Sequence, residues 1–339
     1  VEARAQEVGL NPAYATLLCN AYKGENGLAA EDQSALNLLY QMAPNPDQTF
    51  HMLGESDERY RAKGGNGAII TALMQALQPF VESGLVQIHN GYALQHVEPM
   101  GEGYQLDFTN GTSVQAEAVN FAIPFSVLRG IDGIDSIGMS EEKIADIQGL
   151  GYGLHTKLSF KIKDLSWKTD QEVAFGPLNG TMYSTESYLQ NFWVSHWDPE
   201  AQEGVLTFLI GAPESLESGL AAKCRASFAQ LVGRSEEALF AEMQPISAQR
   251  WHSDGHAKGS YCCPKPGQFT TFLMQAMSPE CGGAISFTGE HTGGEGYGFA
   301  NAAVESGYRE AERVVARLAT RHVADVAGLT AIQTEQRVR

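Results

Sequence analysis

The chain carries no GxGxxG fingerprint. A dinucleotide-binding protein normally shows that pattern after its first strand, with an acidic residue about 20 positions later. Neither Gly65-Asn66-Gly67 nor Gly151-Tyr152-Gly153 supplies the third glycine. No uninterrupted apolar run reaches about 18 residues, so no transmembrane helix is expected. The opening VEARAQEVGL has neither the basic start nor the apolar stretch of a signal peptide, and no compartment is specified. Cysteine is scarce: Cys19, Cys224, Cys262, Cys263 and Cys281 are an odd set without CxxC spacing. Neither a zinc site nor a disulfide framework is expected, and small buried thiols are the simpler form. His252 and His256 alone make no metal site, and no metal is expected. Positive charge is short too, with 23 Lys and Arg against 40 Asp and Glu and a net charge of −17. That balance argues against nucleic acid or an anionic membrane as a partner.

What is present suffices for a large core and two domains: 339 residues, 43% hydrophobic, with 36 glycines. Residues 1–50 read as helices with Tyr14, Leu17, Leu18, Tyr22, Leu36, Leu38, Leu39 and Met42 as apolar positions, closed by Pro44-Asn45-Pro46. A Gly64-Gly65 loop precedes an amphipathic helix over about 67–82, with Ile69, Leu73, Leu77 and Phe80 on one face. From Val86 to Ala122 the pattern alternates in short strands, with Asn110-Gly111 as a hairpin signal. Further strands are expected in HTKLSFKI, EVAFGPL, QNFWVSHW and GVLTFLIG, then a helix over about 218–233 and a strand from Ile246 to Trp251. Strands in a run with one or two helices imply an antiparallel sheet. Lys157, Lys161 and Lys163 fall on one side of their strand and Leu158, Phe160 and Ile162 on the other, which by pattern is a solvated face.

The densest segment is Ala284–Leu318, AISFTGEHTGGEGYGFANAAVESGYREAERVVARL. A short strand (Ile285, Phe287) runs through Gly289-Glu290-His291 and a glycine loop into a long helix. There Ala300, Ala303, Val304, Gly307, Ala311, Val314, Val315 and Leu318 recur at three- and four-residue steps as one apolar stripe. The small residues Ala300, Ala303 and Gly307 would let another backbone approach. Such a helix N-terminus offers unpaired N–H groups and a positive dipole end. By pattern this is either a nucleotide or anion site or an ordinary strand–loop–helix crossover.

The wording of that segment resembles the C-terminal signature of the flavin-containing amine oxidase family, which includes monoamine, polyamine and L-amino-acid oxidases. The matching elements are Gly289-Glu290 after the strand and Gly298-Phe299 opening the helix. Upstream, Arg61-Ala62-Lys63-Gly64-Gly65 matches the family's Arg-x-x-Gly-Gly, Leu94-x-x-Val97 its adenine-holding strand, and Phe121-Ala122-Ile123-Pro124 its Ala-Ile-Pro strand. Gly151–Phe160 matches the segment of the flavin-side lysine, here Lys157. Trp251, Gly259-Ser260-Tyr261 and Pro266-Gly267 match the Trp…Gly-x-Tyr…Pro-Gly segment. The resemblance spans roughly residues 58–318.

The resemblance implies an α/β, two-domain fold: an FAD-binding Rossmann-like domain, its N-terminal part missing, and an α+β substrate domain with an antiparallel sheet. Residues 1–57 would be the helical part of the substrate domain, and 58–128 part of the FAD domain. Residues 129–256 would be the substrate domain proper, 257–320 the C-terminal part of the FAD domain, and 321–339 a tail. FAD would be held by Gly64, Gly65, Leu94, Pro124, Trp251, Gly289, Glu290, Gly298, Phe299 and Ala300, with Glu290 on the ribityl hydroxyls. Tyr261 and Phe299 would wall the substrate, and Lys157 would hold a water beside flavin N5. Ser260 stands where some members carry a flavin-linking cysteine, so FAD is expected to be non-covalent.

The implied reaction is oxidation of a primary or secondary amine or an L-amino acid. Hydride passes to flavin N5, the imine is hydrolysed, and O2 becomes H2O2. A polyamine would call for acidic residues such as Glu186 or Glu295. A desaturase or isomerase of the same fold, or a non-catalytic subunit, is the alternative. A second chain carrying the GxGxxG segment, through cleavage or a split gene, and an oligomer are expected. His291 receives no role.

Overall fold

The computed structural model describes residues 2–41, 62–163, 180–198, 200–201 and 203–337. They fall into two compact units: Val1–Asn37, Ala118–Gly130 and Gly138–Arg339 form the first, and Leu38–Glu117 with Ile131–Ile137 the second. The elements begin with helices α1 (Glu2–Glu7), α2 (Pro12–Asn26), α3 (Ala35–Gln41) and α4 (Gly67–Glu82). Strands β1 (Leu94–Met100), β2 (Gly103–Phe108), β3 (Ser113–Ala116) and β4 (Val119–Phe121) lead to α5 (Phe125–Leu128) and α6 (Glu141–Gly149). Then come β5 (Thr156–Ile162), β6 (Thr181–Tyr183), β7 (Asn191–Asp198) and β8 (Glu203–Ile210). The chain continues through α7 (Leu220–Leu231), α8 (Glu236–Glu242), β9 (Gln244–Arg250), α9 (Phe269–Ala276), β10 (Ile285–Phe287) and α10 (Ala300–Arg337). The expected strand EVAFGPL and the residues from Met42 to Arg61 lie outside the described residues.

In the first unit an antiparallel sheet runs β6-β7-β8-β5-β9. Period-two alternation puts Leu158, Phe160, Ile162, Phe192, Leu206, Phe208 and Ile210 into one core with Leu220, Cys224 and Phe228 of α7 and Leu239 of α8. Phe208 meets Phe228 edge-on at 5.9 Å, and burial of each large side chain contributes roughly 1.5–3 kcal/mol. Gly233, at φ 68, sits just past the end of α7 in the left-handed conformation that favours glycine. The lysine-bearing side of β5 faces away from this core, with Lys157 and Lys163 exposed.

β10 pairs in parallel with β4, and Phe121, Phe125, Phe272 and Phe287 pack around the pair. α10 reaches this layer differently from the apolar stripe read in the sequence. Val304, Val315 and Leu318 are 50%, 67% and 51% exposed, while Ala302, Ser306 and Glu310 are buried. The reason is hydrogen bonding. The turn after β10 presents backbone groups that need partners. Ser306 Oγ accepts from the Gly289 amide at 2.9 Å, and Arg309 donates to the Thr292 carbonyl at 2.7 Å. Glu310 is paired with Arg309 at 2.8 Å and Arg313 at 2.7 Å.

In the second unit β1-β2-β3 form an antiparallel meander, turned at Asn110-Gly111 with Gly111 at φ 82. Val97, Tyr104 and Leu106 are its buried residues. Val86–Ala93 is not strand as expected. The turn at Asn90-Gly91, with Gly91 at φ 77, delays extended pairing to Leu94. α4 forms over the expected span, with no charged residue before Glu82, yet none of its residues is buried. Among the described residues, no helix is long and apolar enough to cross a membrane.

Lys143 of α6 is fully buried. Its ammonium caps the C-terminal end of α9, donating to the carbonyls of Gln275, Ala276 (3.1 Å) and Ser278 (2.9 Å), and lies 4.5 Å from the Phe287 ring. Burial pushes its pKa down to about 8, although Glu280, Asp146 and Glu310 pull the other way. Between about 8 and the ordinary lysine value the unfolded chain holds the proton that the folded chain has released, so stability rises with pH in that window. In urea unfolding followed from pH 7.5 to 9.5, Lys143→Met is expected to lack a component of up to roughly 1.4 kcal/mol per pH unit that the parent shows. Equal pH slopes in the two proteins would contradict this.

Candidate active site

Three segments of the first unit meet at one histidine. α2 ends at Gly27, left-handed at φ 78, where a Cβ would stand 2.6 Å from the His155 ring. Residues 151–153 lie along 260–263, with Gly153 N to Tyr261 O at 2.9 Å, Ser260 N to Gly153 O at 2.8 Å and Cys263 N to Gly151 O at 2.8 Å. His155 is completely buried between them. Its Nε2 lies 2.9 Å from the Gly24 carbonyl, which can only accept, so Nε2 carries the proton. Nδ1 therefore accepts from Ser260 Oγ at 2.6 Å. Burial pushes the His155 pKa down to about 4, against the smaller upward pull of the Gly24 carbonyl, so the ring is neutral at pH 7.

Tyr261 leans on that histidine, ring centres 5.1 Å apart, and its hydroxyl donates to the Glu25 carbonyl. The Glu25 side chain accepts from Tyr183 Oη and Asn191 Nδ2, each at 2.7 Å. Register places Tyr183, Asn191, Leu209, Lys157 and Gln249 in one row across the sheet, on the side opposite the apolar core. The adjacent row is Thr181, Trp193, Thr207, Ser159 and Ser247. Lys157 is exposed, its ammonium 5.3 Å from the centre of the Trp193 ring. Trp251, 36% exposed, follows β9 and donates its amide to His155 O at 3.1 Å.

Glu290 forms the second centre. It follows β10 through Gly289, whose φ of 134 belongs to glycine. One carboxylate oxygen accepts from Cys262 N at 3.0 Å, and the other from Gly298 N at 2.9 Å and Cys262 Sγ at 2.9 Å. Burial pushes the Glu290 pKa up, and these three donors pull it back in part. Burial foremost, and then the Glu290 charge, push the Cys262 thiol well above the usual range. Beyond Gly298, at φ 86, Phe299 is 42% exposed and Ala300 is exposed at the N-terminus of α10. Pro124, half-buried, precedes α5, where the Phe125 amide donates to Tyr152 Oη at 2.9 Å.

The structure thus joins Trp251 and Tyr261 through His155, with Lys157 two residues along the chain. It joins Gly289, Glu290, Gly298, Phe299 and Ala300 around one carboxylate. Gly64 (φ 87), Gly65 (φ 79) and Leu94 lie in the second unit, the glycines in an exposed turn before α4 and Leu94 half-buried at the start of β1. Glu186 is exposed in a turn, and the Glu295 side chain is outside the described residues. His155 and Glu25 were not sequence candidates. Their partners lie more than a hundred residues away, so no local pattern announces them. A cleft of about 500 Å³ beside α1 and α2, floored by the Lys23–Glu214 pair at 2.8 Å, contains none of the predicted residues. No group of three or more His, Cys, Asp or Glu able to hold a metal occurs among the described residues.

A mixed α/β fold with antiparallel sheets and a glycine-led helix defines the class as the flavin amine oxidase fold. Putrescine oxidase shares it. A double mutant with redesigned cofactor binding aligns at TM-score 0.68 and 19% identity, over 93% of this chain and 67% of that one. The wild-type enzyme bound to putrescine aligns at TM-score 0.53 and 20% identity, over 66% and 48%. Human lysine-specific histone demethylase 2 is 23% identical over 287 residues, which is 83% of this chain and 34% of the demethylase. The chain spans about a third of that relative and about half to two thirds of putrescine oxidase. Residues 26–315 match the model of the flavin containing amine oxidoreductases, and the chain belongs to that family. FAD is the cofactor that membership brings. The start of α10, exposed at Ala300 and Asn301, fits such a group, because its leading N–H groups have no acceptor within the helix, and no heavy atom lies within 4 Å of where a Gly298 Cβ would stand.

The neutral His155 makes the site acid-sensitive. The unfolded chain protonates this histidine near its ordinary value of 6.5 and the folded chain only near 4, so stability falls as pH drops through that window. His291, buried and pushed down to about 3, acts in the same direction. Urea titrations between pH 7 and 4 should give His155→Gln a slope smaller than the parent's by up to roughly 1.4 kcal/mol per unit. A variant as acid-sensitive as the parent would show His155 to be protonated in the fold.

Proposed function

We propose that the chain supplies the substrate domain and part of the FAD domain of an oxidase acting on a primary or secondary amine or an L-amino acid. O2 is the electron acceptor and H2O2 the product. Residues 1–57 and 129–256 form the substrate side, 58–128 and 257–320 the flavin side, and 321–339 a tail. The observation that carries the reading is the sheet's two-sidedness. Its inner face is sealed by aliphatic and aromatic side chains, while its outer face presents Lys157 in the row whose Asn191 and Tyr183 bind Glu25, beside the Tyr261 junction.

FAD, when bound, supplies the two-electron acceptor for the hydride of the substrate α-carbon. Gly289, Glu290, Gly298, Phe299, Ala300, Pro124 and Trp251 of the first unit would hold it. Tyr261 and Phe299 wall the approach of a neutral amine and exclude bulk water. Lys157 holds a water by its ammonium N–H groups, placed for hydrolysis of the released imine. Ser260 occupies the position of a flavin-linking cysteine and its hydroxyl is engaged by His155, which supports a non-covalent flavin. The assembly is read as an oligomer.

The test uses the natively purified protein with all its subunits, screened for amine-dependent peroxide release. Oxidation of at least one amine is expected, with Lys157→Met lowering kcat by roughly 100-fold at little change in KM. Flavin retention without peroxide from any amine or L-amino acid would refute the oxidase.

A further inference from the structure

We propose that Glu290 is a positioning residue that sets the spacing between the two aromatic walls of the amine pocket. This rests on the reading of Tyr261 and Phe299 as those walls. The carboxylate binds the amide of Cys262, which follows Tyr261, and the amide of Gly298, which precedes Phe299. Two chain segments far apart in sequence are thereby tied to one rigid planar group, one to each oxygen.

The two walls depend on this tie unequally. Tyr261 is held independently: its hydroxyl bonds the Glu25 carbonyl, its own carbonyl accepts from Gly153, and its ring lies beside His155. Phe299 has less. It follows a glycine with φ 86 and open space around it, it is 42% exposed, and its amide donates to the Gly296 carbonyl at 3.2 Å. The Glu290–Gly298 bond therefore anchors the looser wall to the firmer one. Cys262 Sγ, 2.9 Å from the same oxygen as Gly298 N, completes three donors against the roughly four acceptor positions of a carboxylate. Most of the hydrogen-bonding capacity of Glu290 is thus directed at its own chain.

Glu290→Gln is the direct probe, because its NH2 must face one of the two N–H donors and one tie is lost. The readout is taken in the FAD-loaded full-length protein at saturating FAD, so that any change in cofactor affinity drops out. The KM ratio of benzylamine to butylamine shifts about 10-fold. An unchanged KM ratio would overturn the proposal. A second readout needs no turnover and stands if the oxidase reading fails. With 4-fluorophenylalanine incorporated, the 19F line that Phe299→Leu removes should shift or broaden in Glu290→Gln and return in part in Glu290→Asp. An unmoved line refutes the tie. If Glu290→Gln does not fold, Glu290→Asp alone is compared with the parent on the same line, with the same two outcomes.

Discussion

Everything at the candidate site rests on the alternation of one antiparallel sheet. Because successive side chains point to opposite sides, committing Leu158, Phe160, Phe192, Leu206 and Phe208 to the core obliges their neighbours to face outward. Lys157, Ser159, Trp193 and Asn191 are those neighbours, and their alignment across strands is a by-product of core register. The outward row is thus held in register by the apolar face behind it. α2 then meets this row through Glu25 and meets the glycine junction through Gly24, which fixes the row relative to Tyr261.

The second organising device is the use of buried polar groups as joints. His155, Lys143 and Glu290 each bind backbone groups from segments distant in sequence. Each replaces water around amides or carbonyls that secondary structure leaves unpaired. His155 and Lys143 have pKa values pushed down by burial, and Glu290 one pushed up, as burial of each charged form dictates. The glycines around them permit the close approach. A Cβ at Gly153 would stand 2.5 Å from both Asn26 O and Ser260 Oγ.

Much of this was legible in the residues. The strand pattern of HTKLSFKI and GVLTFLIG, the hairpin at Asn110-Gly111 and the helix over 67–82 appear where their periodicity places them. The glycine-led helix after Glu290 does so too. Periodicity failed where hydrogen bonding outweighed apolar area. Along α10 the apolar stripe is plain in sequence, but the face that packs is Ala302, Ser306 and Glu310, chosen by the orphan amide and carbonyls after β10. His155 and Glu25 were invisible for another reason. A lone histidine or glutamate acquires its environment from partners such as Ser260 or Asn191, and sequence distance conceals them.

The polar attachment of α10 has a thermal consequence. Apolar contacts such as those beneath the sheet weaken on cooling, whereas the desolvation cost of an ion pair falls on warming. α10 is seated through Arg309, Glu310 and Arg313, so its hold strengthens relative to the sheet core as temperature rises. Phe299 is borne by that helix and Tyr261 abuts the sheet side, so the two move on different thermal scales. Cooling weakens both attachments, and warming favours the ion-paired helix over the apolar sheet.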